Sequence, residues 1–477
     1  MRVTIIYLLM TFFSATLLAQ SAEDAVNLLE DEQGFGLRAT ALGNAYIALA
    51  DDYSGIYYNP AGLARVKIGQ FSASLSNLNQ QTNADFLGSS FSDNVTSTKF
   101  QSLGVVFPFP VTRGSFVMAL GYQKIKDYDN YLKINGDTGI NTNTGLEFLI
   151  DNSYFGFDTL LSQKSTMDTE GSLSQWSFGL AMDFSENFSA GLSLNIYDGN
   201  RHDNFEYSQD TLNSWNTWDM GTTMYPQLSF VYYDLNQKLK SEFSGFDMKL
   251  GGLFNIIPEH LKVGANITIP VYFKVKEKWS ASDDLWYDII DSIGPPDQIS
   301  SPYSESGNFD YLIKRPFKFD VGAAYNYSIF LISASIDYCD WSQLKYDVPD
   351  GRSQSDYTDL LNQNNSFKND FKAVTTVSVG AELSLLQDRL KLRGGFRNVP
   401  SPLKELGADY NKRYFSTGFG YQVDKNTLIQ LTYVRGSWKM DKYYYYDVFD
   451  DNGAEPLVTS EDYVTSKIFF GAQFNFR

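Results

Sequence analysis

Beyond residue 65 the chain alternates. Trp176, Phe178, Leu180, Met182 and Phe184 interleave with Ser177, Gly179, Ala181 and Asp183, and Ile468, Phe470, Ala472, Phe474 and Phe476 with Lys467, Phe469, Gly471, Gln473 and Asn475. A period of two marks a sheet with unlike faces. The template fits about fourteen segments, at 66–78, 98–109, 113–126, 172–184, 187–198, 242–256, 261–274, 314–327, 329–341, 371–385, 388–398, 410–423, 427–440 and 463–477. A further stretch at 224–235 is assigned to a loop, because a single-chain barrel takes an even number of strands.

The connections alternate too: long at 79–97, 127–171, 199–241 and 275–313, short at 110–112, 185–186 and 257–260. A soluble sandwich has no reason to gather its long loops on one edge. A membrane barrel does, with tight turns on one side and long loops outside, and closure removes the sheet edges that lipid does not tolerate. The expected fold is all-β, a transmembrane antiparallel β-barrel of about fourteen strands. That is too wide for wall side chains alone to fill. Residues 20–65, rich in Gly and Ala and lacking the period of two, are expected to fold back as a hatch inside the lumen, with 66–477 forming the barrel. Residues 1–19, where Arg2 precedes a short apolar run, read as a secretory signal peptide.

Composition narrows the chemistry. The formal charge of -18 offers no basic footprint, so no nucleic-acid partner is expected. One Cys and two His leave almost no inventory for disulfides or metal sites, and neither metal nor cofactor is expected. His202 is expected in an external loop and His260 in a turn on the opposite side. Neither has an identifiable serine and carboxylate beside it, so catalysis is not expected.

Two groups of residues could handle a ligand. Ser282 and two aspartates followed by Gly294-Pro295 predict a short helix in the long loop after the seventh strand. Leu285, Trp286, Ile289, Ile290 and Ile293 then share one face, which must bury against something, such as a neighbouring loop with Trp215 and Trp218. By alternation Lys318, Arg393 and Arg397 point away from their apolar neighbours into the lumen, where they could hold a carboxylate head group. The alternative for each is an ion pair with the acidic hatch residues Glu30, Asp31, Glu32, Asp51 and Asp52.

The stretch Ala45–Ala64, with Asn59-Pro60-Ala61 inside it, resembles the start of the FadL/TodX family of outer-membrane transporters for long-chain fatty acids and other hydrophobic compounds. In that family an Asn-Pro-Ala element belongs to a hatch that plugs the barrel. Locally, Pro60 pushes Asn59 out of the helical region and frees its side chain for backbone hydrogen bonds. Asp340-Trp341-Ser342 and the run from Leu392 to Pro402 are also similar to family segments. The resemblance implies a passive channel in the bacterial outer membrane, in contact with its lipid. It would serve long-chain fatty acids or similar hydrophobic small molecules, and a monomer is expected. The family's capture groove between two external loops would make the Leu285–Ile293 face a greasy site for an acyl chain. A related group of barrels serving protein secretion shares the hatch opening. The alternative function is therefore a non-transporting barrel subunit of a secretion or surface-attachment system.

Overall fold

The computed structural model describes residues 21–30, 32–137, 148–150, 153–155, 161–212, 217–218, 228–269, 272–289, 297–443 and 458–476. The expected signal peptide lies outside them. Fourteen strands of the described residues close into one antiparallel barrel. They are β1 (Gly69–Phe86), β2 (Ser89–Phe109), β3 (Phe116–Asp127), β4 (Leu161–Asp183), β5 (Phe188–Thr211), β6 (Leu228–Ile257) and β7 (Leu261–Ile269). The circuit continues through β8 (Lys318–Tyr327), β9 (Phe330–Asp340), β10 (Ala373–Leu385), β11 (Leu390–Val399), β12 (Lys412–Gln422), β13 (Thr427–Tyr443) and β14 (Val458–Phe476). Each pairs with the next, and β14 returns to β1 with Phe476 opposite Gly69. No edge is left at the seam.

The barrel is polar inside and apolar outside. On β9, Ile332 and Ile336 are 61% and 50% exposed while Ser333 and Ser335 between them are 2% exposed. The same belt runs through Phe319 and Val321 on β8, Leu120 on β3 and Phe470 on β14, all exposed. In water this pattern would be unstable; in a bilayer it matches the solvent on each side. Among the described residues no helix is long and apolar enough to cross a membrane, so any crossing is made by strands.

Several segments expected as loops are strands instead. The segment 79–97 belongs to the β1–β2 hairpin, turned by Leu87 and Gly88 alone, both with positive φ (46° and 78°). That is a tight hairpin turn suited to the strand twist. Of the stretch 224–235, assigned to a loop, the described residues 228–235 supply the outer part of β6. The segment 275–313 holds a hairpin of Tyr272–Ile289 against Asp297–Lys314, whose first strand also pairs with β6. The helix predicted from Ser282 onwards is therefore corrected to strand over its described part. Local capping signals are weak, and two-sided pairing with distant strands overrides them.

The N-terminal segment carries three short helices, α1 (Ala22–Leu29), α2 (Leu37–Ala41) and α3 (Gly55–Tyr58), and ends in a 3-10 turn at Pro60–Arg65. Ser21 caps α1 by accepting from the Asp24 amide. A fourth helix, α4 (Thr358–Asp370), lies between β9 and β10 on the side of the long connections. β9 ends, as the sequence suggests, in Asp340-Trp341-Ser342, where the Asp340 carboxylate accepts from the Ser342 amide and hydroxyl.

Candidate functional site

The N-terminal segment meets the wall on many strands, and Asn59 is the hub. Its backbone is extended (φ -156°, ψ 106°), as the following proline demands. Its buried Nδ2 donates to Ile47 O at 2.9 Å and to Gly252 O of β6 at 3.0 Å, and Oδ1 accepts from Ala61 N at 3.1 Å. Pro60 and Ala61 lie against Gly191 of β5, where an added Cβ would come within 2.3 Å of Pro60 backbone. At Gly251 of β6 it would meet Asn59 Oδ1 at 2.1 Å, and at Gly395 of β11 the Gly43 amide nitrogen at 2.1 Å. On β3, Gly121 makes room for the Tyr53 ring, whose hydroxyl donates to Gln123 Oε1 at 2.7 Å. Such contacts, spread around the circuit, require the segment to sit on the lumenal side. Glycines inside strands mark these close backbone approaches.

Charge ties the segment down as well. Arg38 of α2 reaches Glu382 of β10 at 2.9 Å and Asp51 at 2.7 Å. Glu382 is shared with Arg393 at 2.7 Å, and Arg393 also donates to Gln430 Oε1. Arg397 faces Asp337 at 3.3 Å and Lys318 faces Asp320 at 3.7 Å. All three head-group candidates thus point inward and have wall carboxylates beside them. Glu30 of the N-terminal segment is paired instead by Lys412. Lys126 donates to Asn27 and Glu30 carbonyls, and Tyr346 to the Ser21 carbonyl at 2.8 Å.

Above α1, on the side of the long connections, lies a cavity of about 430 Å³. Its walls come from α1, the C-terminal end of α4, the 399–412 connection and the outer part of β13. Val26, Phe371, Val399, Leu406, Trp438 and Met440 give it apolar surface. Glu30 and Val399 also border a gap of about 30 Å³ shared with Lys318, Asp337 and Arg397. Those last three border a further gap of about 10 Å³ reaching Asn44, Tyr58 and Lys249. Lys318 and Arg397 therefore flank a chain of spaces leading inward, while Arg393 does not.

The capture candidates are arranged differently from expectation. Leu285 is buried on one face of its strand, and Trp286 projects from the other, its ring stacked on Tyr232 at 5.4 Å. Ile289 is the last described residue of that strand, and Ile290 and Ile293 lie outside the described residues. His202 sits within β5, and His260 in the turn after β6 with its ring against Asn326 O. Cys339 lies half-buried near the end of β9.

The fold recurs in solved structures. The P. putida toluene transporter TodX matches with a TM-score of 0.55 at 13% identity, over 94% of this chain and 100% of that one. The chain has the FadL fold. A Pseudomonas aeruginosa FadL homologue matches with a TM-score of 0.58 at 11% identity, over 94% and 99% of the two chains. The CymD monoaromatic hydrocarbon channel follows at 0.51 and 12% identity, over 93% and 98%. No family model and no curated protein matches the sequence. At such low identity the FadL fold is held by pattern rather than by particular residues. Alternation and wall glycines carry it here.

Proposed function

We propose that this FadL-fold barrel is a passive transporter of the bacterial outer membrane, admitting long-chain fatty acids or similar hydrophobic molecules, with residues 20–65 as its hatch. One observation carries the reading: a roomy, partly apolar outer cavity has α1 of the N-terminal segment as its floor. A ligand seated there touches the element that must move. Burial of apolar surface, about 0.8 kcal/mol per CH₂, drives capture without an energy source. The Leu285–Ile293 stretch is assigned to first capture at the outer hairpin. Lys318 and Arg397, along the inward gaps, meet the polar end of a ligand once Asp320 and Asp337 yield. Arg393, between Glu382 and Gln430, holds the hatch. The test is uptake of a labelled long-chain hydrophobe by cells carrying the intact gene, no gene, or a deletion of residues 281–293. Uptake should fall in both altered strains. Equal uptake with and without the gene rejects transport.

A further inference from the structure

The outer cavity is sorted by charge as well as by apolarity. Its lining holds five carboxylates, on Glu23, Glu30, Asp370, Glu405 and Asp441, against the two ammonium groups of Lys412 and Lys439. Both cations are already engaged, Lys412 with Glu30 and Lys439 with Asp462 at 3.8 Å. Among the described residues none of Glu23, Asp370, Glu405 and Asp441 forms an ion pair. Asp441 accepts the neutral Tyr410 hydroxyl at 2.7 Å.

We propose that this cavity selects, among hydrophobic molecules, those that carry a cationic end such as an ammonium group, and disfavours carboxylates. The inference rests on the transporter reading and narrows its substrate class from fatty acids to hydrophobic molecules with a cationic end, for which the carboxylates of Asp320 and Asp337, not Lys318 and Arg397, are the polar partners farther in. A carboxylate head brought into the cavity meets four uncompensated like charges, on α1, α4, the 399–412 connection and β13, and no unengaged cation. An ammonium head meets the same groups as partners, while the hydrocarbon body lies on Val399, Leu406 and Met440. At Glu23 burial and neighbouring charge act together. Desolvation by surrounding protein, then the charges of Asp24, Asp370 and Asp441, push its carboxyl above the ordinary range. A bound cation relieves that crowding.

The probes are dodecyltrimethylammonium, dodecanol and dodecanoate, each below its micelle concentration, added to full-length protein in zwitterionic nanodiscs. Binding is read as the fluorescence change that W438F abolishes. The expected order is ammonium tightest, with an advantage over dodecanoate of about tenfold that shrinks as salt is raised. The D441N/E405Q variant, altered at groups outside the hatch contacts, should bring the two within about threefold and leave dodecanol unchanged. E23Q should do the same in part. Dodecanoate binding as tightly as the ammonium probe overturns the inference, and so does a preference that survives D441N/E405Q, which would mark general attraction to an acidic protein. If dodecanol binds in either case, the transporter reading stands without the charge selection. If no probe gives a signal sensitive to W438F, both fall.

Discussion

Asn59→Ala removes three hydrogen bonds from one buried point. Ile47 O and Gly252 O lose a donor and Ala61 N loses its acceptor. At about 1 kcal/mol net for each, the segment around the Asn-Pro turn loses about 3 kcal/mol of local stability. Every 1.4 kcal/mol is about tenfold, so its open population rises about a hundredfold. Hydrogen exchange of purified protein in detergent measures this directly, because protection reports local opening. The informative amides are Leu49 and Val66, bonded to Tyr46 O and Leu63 O and not to the Asn59 side chain. Their exchange should accelerate by about two orders of magnitude. Asn59→Asp keeps the shape but turns an oxygen toward two carbonyl oxygens, so it should be at least as severe. Exchange within about threefold of the parent would refute the hub. An aspartate milder than alanine would show that shape, not hydrogen bonding, holds the turn.

Three further substitutions probe other parts. Glu382→Gln leaves the Arg38 and Arg393 guanidiniums around a neutral amide and should cost about 3–5 kcal/mol, whereas Arg38→Met spares the Arg393–Glu382 pair and should cost less; thermal unfolding in detergent ranks them, and equal midpoints refute the shared pair. Gly395→Ala drives a methyl to 2.1 Å from the Gly43 nitrogen and should cost about 1–3 kcal/mol, while Gly407→Ala, with nothing within 4 Å, should be neutral in the same assay. Ile336→Arg on the belt should cost about 2–4 kcal/mol for folding into vesicles, far more than Ser335→Ala on the lumenal face.

The strands were legible because two solvents impose one rule. All fourteen expected segments overlap the observed ones, since lipid outside and polar lumen inside write alternation into every membrane-crossing stretch. The rule lapses where lipid ends. The outer halves of β1, β2, β5 and β6 read as loops because both faces there are wet or irregularly packed, so Gln80, Thr82 and Asn83 give no apolar row. The Leu285–Ile293 helix failed for a related reason: Asp283 and Asp284 mimic a helix start, but pairing with β6 is non-local and leaves no trace nearby. The local conformation at Asn59-Pro60 was readable from backbone constraints, and its inward role only from the resemblance, whereas the partners of Arg393 and Arg397 were not readable at all. An inward position follows from parity, but a partner follows only from register, and Glu382 faces Arg393 because those residues pair across β10 and β11.

The two halves of the barrel fill their lumen in opposite ways, and this decides where a route can open. At membrane depth the inward residues are small, such as Gly191 and Ser193 on β5 and Ser333 and Ser335 on β9, and the space they leave is taken by the N-terminal segment. Farther out the inward residues are large: Tyr197, Phe243, Phe273, Tyr311 and Tyr346 form one buried cluster with Ala22, Val26 and Leu29 of α1. A wall that fills itself with its own rings cannot be emptied by moving a neighbouring segment. A wall of glycine and serine can, because its filling is a separate stretch of chain held by replaceable hydrogen bonds and ion pairs. α1 stands at the junction, one face in the aromatic cluster and another under the outer cavity. Any passage from cavity to inner lumen must therefore displace α1 or slip between it and β8–β11, where the gaps bordered by Glu30, Lys318 and Arg397 already lie. The displacement requires breaking the Lys412–Glu30 pair and the Lys126 and Tyr346 bonds to α1 and its flanks, and leaves the barrel's own sheet untouched.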